Sequence, residues 1–96
     1  MSKGYWITIY RKVKNAGALS EYAKLAGPAI AAGGGKFLAR GVAAKVYEAG
    51  LKERTVLIEF ESVEKAVATY EGASYQAAAK LLAGAVEREV RIVEGS

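Results

Sequence analysis

The sequence predicts an α+β fold of ferredoxin-like type, an antiparallel sheet with helices on one face. Two observations lead there. Strand-like and helix-like stretches follow one another as β-α-β-β-α-β, with the second helix broken in two. The clearest strands also carry large apolar residues on both faces, so the side that the helices leave bare needs a cover as well.

The first strand is Tyr5–Tyr10, YWITIY, whose aromatic and β-branched residues favour extended backbone. Asn15 then stands as the N-cap of a helix. Leu19, Tyr22, Ala23, Ala26 and Ile30 recur at helical spacing, and Pro28 is expected to bend or interrupt that helix. Gly33, Gly34 and Gly35 close it, where a left-handed turn is cheap for glycine. A second extended stretch runs from Lys36 to Glu48, with Gly41 marking a bulge or bend. Ala49–Glu53 suits a longer hairpin loop into the strand Arg54–Phe60. Ser62 caps a short helix with Glu64 in its first turn, and Val63, Ala66, Val67 and Tyr70 form its stripe. Gly72 breaks it, and Ser74 is expected to cap the next, lined by Tyr75, Ala78, Ala79 and Leu82. Arg88–Val93, REVRIV, is the last strand. On this reading Trp6, Thr8, Tyr10, Leu57 and Val93 line one sheet face, and Ile7, Ile9, Ile58, Phe60 and Ile92 the other. A second copy of the chain is the simplest cover for the bare face, since two-fold self-association is the commonest symmetry.

Composition narrows the chemistry. Ninety-six residues suit one domain, 1–96, and 52% apolar residues are too many for a disordered chain. There is no cysteine and no histidine. Disulfides, thiolate nucleophiles, imidazole acid–base catalysis and His or Cys metal sites are therefore excluded. Carboxylates are the remaining good metal ligands, and they form no evident cluster; neither a metal nor a cofactor is expected. The chain runs from MSKGYW directly into strand-like sequence, without the apolar stretch of a secretory leader, and no apolar run approaches a membrane span. A cytoplasmic location is expected. The net charge of +4 is scattered along the chain, as on a solvated surface.

Several short segments together resemble the DUF1330 family: Gly4-Tyr5-Trp6-Ile7, Gly34-Gly35-Lys36-Phe37-Leu38-Ala39-Arg40-Gly41, Arg54–Phe60, Tyr75-Gln76-Ala77-Ala78 and Ile92-Val93-Glu94-Gly95. The resemblance runs over essentially the whole chain. It implies a ferredoxin-like fold of the dimeric α+β barrel group, in which two sheets face each other. The family carries no settled biochemical function. The wider barrel group includes cofactor-free monooxygenases, isomerases and haem proteins, and likeness of fold alone does not assign chemistry. Three positions depart from the family pattern. Asn15 stands where an Asp is frequent, Gly33 where a His is frequent, and Gly72-Ala73 where Ser-Pro is usual. An acid or imidazole role at the first two is closed to this chain.

Glu59 and Tyr22 are the candidate catalytic residues; Arg40, Arg54, Glu48 and Tyr75 are the candidate substrate-binding residues. Glu59 sits in mid-strand among apolar residues, where desolvation suits a carboxyl to acid–base work. The competing reading pairs it with Arg40 or Arg54 in a structural ion pair. Arg40, beside Gly41, has the geometry to take a carboxylate or phosphate bidentately. Glu48 and Arg54 are placed to pair across the hairpin. Tyr22, Tyr70 and Tyr75 lie on apolar helix stripes, so core packing competes with a ring-lined pocket for a small, flat, apolar substrate.

Three functional classes follow: a dimeric small-molecule-binding protein or cofactor-free enzyme, a non-catalytic structural homodimer, and an RNA-binding module. The last is disfavoured. Arg40–Tyr47 partly fits the octamer of RNA-recognition sheets, but Val42 and Ala44 stand where stacking aromatics belong. Gly33–Gly35 follows a helix rather than preceding one and lacks the P-loop pattern.

Overall fold

The computed structural model describes residues 2–96. Its elements are β1 (Gly4–Val13), α1 (Ala16–Ala32), β2 (Lys36–Val42), β3 (Arg54–Phe60), α2 (Val63–Glu71), α3 (Ala73–Ala79) and β4 (Val86–Glu94), with a 3-10 turn at Lys80–Leu82 before the last strand. The four strands form one antiparallel sheet in the order β2-β3-β1-β4. This is the expected α+β, ferredoxin-like βαββαβ architecture.

The local chemistry explains the boundaries. Asn15 accepts a hydrogen bond from the Ala18 backbone N–H at 3.0 Å, and Ser62 accepts one from Lys65 N–H at 3.2 Å. Each satisfies one donor that a helix start leaves free. Helix α1 ends in backbone bonds from Gly34 to Ala31 and from Gly35 to Ile30, with Gly34 at φ 91°, where side chains are strained. Pro28 does not interrupt α1. Its missing N–H strands the carbonyl of Lys24, but that residue is exposed and water can serve it. The preceding residue is Gly27, which has no Cβ to collide with the proline ring.

Three other expectations change. Helix α3 begins directly after Gly72, so Ser74 lies inside it and is not its cap. Strand β2 ends at Val42 instead of Glu48. Residues 43–53 form an exposed loop whose turn places Glu48 at φ 54°. The irregularity in β2 falls between Phe37 and Ala39, not at Gly41.

Register decides what faces the helices. Trp6 pairs with Ile58 and Ile92, and Thr8 with Val56 and Val90. Directly opposed residues share a face. Trp6, Thr8, Tyr10, Val56, Ile58 and Phe60 therefore lie together beneath the helices, all buried. Leu57 and Val93 belong with Ile7 and Ile9 on the other face, contrary to the grouping drawn from sequence, which had no register to work from. Trp6 is 1% exposed and sits among Phe60, Tyr70 and Tyr75, with ring centroids 6.0, 5.3 and 4.8 Å away. Its indole N–H donates to Thr8 Oγ1 at 2.8 Å, so the buried polar atom is satisfied.

Among the described residues no helix lies on the opposite face. Tyr5, Ile7, Ile9 and Leu57 are half-buried there, and Val93 is exposed. Toward β4 the face turns polar. Glu89 accepts from Arg91 Nε and Nη2 at 3.1 and 2.7 Å and is also paired with Arg11. Hydrogen bonds from Arg91 and then Arg11 hold the Glu89 carboxyl below the usual carboxylate value. A lowered folded-state pKa means stability that is present above the unfolded value, about 4.3, and lost as pH falls through the lowered one. Glu89→Gln is accordingly expected to lower Tm at pH 7 and to leave it unchanged at pH 2, as scanning calorimetry at the two pH values will show.

Candidate functional site

Helix α1 crosses the β1-β3-β2 part of the sheet on small residues. Ala26 and Gly27 line its underside with Ala23 at the exposed rim, and a Cβ added at Gly27 would meet no atom within 4 Å. These short side chains keep the helix from filling the space above Thr8, Val56 and Ile58. The result is a cavity of about 50 Å³ between α1 and the sheet. A single water needs about 10–15 Å³ of such space, so the cavity is larger than a hydration site. Its lining is mainly apolar, with Trp6 and Phe37 among the walls. The polar groups are few: the side chains of Thr8, Tyr10 and Tyr22, and the guanidinium-bearing Arg40 and Arg54.

The two arginines reach this side through the β2–β3 register. Arg40 opposes Val56 and Arg54 opposes Val42, so both lie on the face that bears the helices. Arg40 is exposed and Arg54 half-buried. The Arg40 guanidinium lies 4.5 Å over the Phe37 ring, a cation–π contact that orients it. Among the described residues neither arginine has a carboxylate within salt-bridge distance.

Behind the cavity wall lies a polar cluster. Tyr22 on α1 and Tyr75 on α3 bring their hydroxyl oxygens to 2.7 Å. Arg88 on β4 donates from Nη2 to Tyr75 at 2.9 Å and from Nη1 to Tyr22 at 3.3 Å. It also lies over the Tyr22 ring, 5.2 Å from the centroid. Burial pushes the Tyr75 hydroxyl pKa well up, with Tyr22 beside it adding to the rise, so Tyr75 stays protonated. Burial likewise raises Tyr10, against the opposing pull of Arg88. For Arg88 itself burial works against the charge, but the oxygens of Tyr75 and Tyr22 outweigh it and the guanidinium stays charged.

The sequence-predicted residues thus divide. Tyr22, Arg40 and Arg54 meet at one cavity, and Tyr75 backs Tyr22 without reaching the cavity lining. Glu59 does not join them. Strand alternation that turns Ile58 and Phe60 toward the helices turns Glu59 to the open face, where it opposes Tyr5 and Lys36. Among the described residues its one side-chain hydrogen bond comes from the Tyr5 hydroxyl at 3.4 Å, and it pairs with neither Arg40 nor Arg54. Glu48 is exposed in the 43–53 loop, and no ion pair joins it to Arg54, because β2 has already ended six residues earlier. Arg88 escaped the sequence reading. The signal was present: Arg88, Val90 and Ile92 alternate onto one face, and the buried tyrosine hydroxyls require a partner. No group of three metal-ligating side chains occurs among the described residues. No helix among them is long and apolar enough to cross a membrane.

Fold and cavity together define a ferredoxin-like α+β protein with a pocket between its first helix and its sheet. The chain belongs to the DUF1330 family, a domain of unknown function, whose model matches residues 3–96. Among solved structures, a protein of unknown function from Rhodopseudomonas palustris is similar at TM-score 0.75 and 18% identity, over 96% of this chain and 81% of that one. A dimeric ferredoxin-like protein of unknown function from Thermobifida fusca matches at TM-score 0.66 and 16% identity, over 96% and 90%. A candidate antibiotic biosynthesis monooxygenase from Nitrosomonas europaea matches at TM-score 0.64 and 20% identity, over 97% of each chain. At these identities the likeness is one of fold. No curated protein matches the chain.

Proposed function

We propose that the protein is a cytoplasmic homodimer, joined through the open sheet face, in which each protomer binds a small molecule between α1 and the sheet. The observation that carries this reading is the cavity itself: its lining, apolar walls with a few polar groups and two arginines, has the composition of a small-molecule site. The dimer rests on the half-buried Ile7, Ile9 and Leu57 of the bare face and on the dimeric Thermobifida fusca relative in fold. Glu59 and Lys36, on that same face, then belong to the contact between copies rather than to the ligand.

Binding is favoured over acid–base catalysis because the cavity lining includes no carboxylate and no lysine. A second reading, turnover of the bound molecule without a cofactor, draws support from the Nitrosomonas europaea relative in fold named as a candidate monooxygenase. The purely structural homodimer is the remaining alternative.

Trp6, the only tryptophan, lines the cavity and reports on its contents. Small aromatic compounds such as benzamide and benzoate are expected to change its fluorescence saturably. Ala23→Leu, an exposed position on the cavity rim, is expected to weaken that binding about tenfold or more by narrowing the entrance, a loss of ~1.4 kcal/mol per tenfold, with Tm little changed. Absence of saturable binding by the whole panel leaves the structural homodimer.

A further inference from the structure

The arrangement of charge around the cavity specifies more than its size. Arg54 is half-buried at the rim, Arg40 is fixed over Phe37 beside it, and neither has an acidic partner among the described residues. The other arginines of the sheet have partners: Arg11 and Arg91 converge on Glu89, and Arg88 is held by the Tyr22 and Tyr75 hydroxyls. Two unmatched guanidinium groups over an apolar chamber form a receptor for an anion attached to an apolar body, and planar bidentate donors suit a carboxylate.

The far wall offers a second fixed group. Tyr75 is 1% exposed and, once Arg88 has donated to it, needs an acceptor for its own proton. The Arg88 guanidinium cannot accept. The Tyr22 oxygen, 2.7 Å away, can. Tyr75 therefore donates to Tyr22, which also takes a bond from Arg88. With its oxygen receiving from both, Tyr22 has its own proton left to give, and Tyr22 is the member of the cluster that lines the cavity. Arg88 and Tyr75 act here as positioning residues: they fix the Tyr22 oxygen and leave its proton without an acceptor between them, so that proton is free for a ligand.

We propose that the cavity is a receptor for a small, flat organic acid, its carboxylate held by Arg54 and Arg40 and an acceptor oxygen at its far end held by the Tyr22 hydroxyl. This rests on the reading of the cavity as a ligand site. Such a ligand matches the chamber at three points: charge at the rim, apolar walls in between and a hydrogen bond at the back.

Titrations of Trp6 fluorescence with benzamide, benzoate and 4-hydroxybenzoate test it. Benzoate is expected to bind at least about tenfold more tightly than neutral benzamide, a charge-assisted hydrogen bond being worth about 1.5–3 kcal/mol. Addition of the far-end oxygen in 4-hydroxybenzoate is expected to tighten binding by a further factor of about five, from a neutral hydrogen bond of about 1 kcal/mol. Arg40→Met, at an exposed position that puts no demand on the core, and Arg54→Met are each expected to remove the advantage of benzoate over benzamide. Tyr22→Phe is expected to remove only the advantage of 4-hydroxybenzoate over benzoate. If benzamide and benzoate bind equally well, the site stands and the acid is overturned. If none of the three binds, both the site and the acid are overturned.

Discussion

Leu57→Glu is expected to convert the protein from a dimer into a folded monomer. Leu57 lies near the middle of the bare face, opposed by Ile7 on β1 and Ala39 on β2. In a two-fold dimer each substitution occurs twice in one interface. An unpaired carboxylate taken out of water costs several kcal/mol. Two of them raise the dimer Kd by at least about four orders of magnitude, at ~1.4 kcal/mol per tenfold. The fold itself survives, because Leu57 contributes nothing to the core beneath the helices. Analytical ultracentrifugation is expected to give the unsubstituted protein about twice the 10.1 kDa chain mass and the variant that mass alone. An unsubstituted protein that sediments as a single chain contradicts the proposed assembly.

Trp6→Ala is expected to have the largest effect on stability. The indole is buried against Phe60, Tyr70 and Tyr75, and so joins the sheet to α2 and α3 at a single point. Truncation removes that area and leaves a cavity, at a cost of about 3–5 kcal/mol. It also takes the indole donor away from the buried Thr8 hydroxyl. Since small domains hold only about 5–15 kcal/mol in all, the loss is a large share of the total. Urea unfolding followed by far-UV circular dichroism is expected to show a midpoint shifted far toward zero denaturant. A loss below about 1 kcal/mol, the size expected of a surface position, contradicts the packing described.

What the sequence disclosed follows from how local each signal is. The strands β1 and β3 were legible because YWITIY and RTVLIEF carry their propensity within themselves. The helix starts were legible because Asn15 and Ser62 act on backbone only three residues away. Register is not local. It placed Ile58 and Ile92, not Leu57 and Val93, beside Trp6, and so decided that Glu59 faces away from the cavity. The early end of β2 was hidden for the same reason, since an eleven-residue loop leaves the pairing of Ala43–Glu48 to tertiary structure. Pro28 misled because the relief that Gly27 provides concerns a pair of residues rather than one. At the site, Tyr22, Arg40, Arg54 and Tyr75 were found as single residues. Arg88, the group that ties two of them together, required the β1–β4 pairing that sets Arg88 against Tyr10.

The most direct test of the central claim is an NMR chemical-shift map of the ¹⁵N-labelled protein titrated with 4-hydroxybenzoate. A ligand between α1 and the sheet is expected to move the amides of Ala23, Ala26, Gly27 and Val56 and the Trp6 indole N–H, and to leave those of Ile7, Leu57 and Val93 in place. Shifts confined to the open sheet face, or no shifts at all, would contradict it.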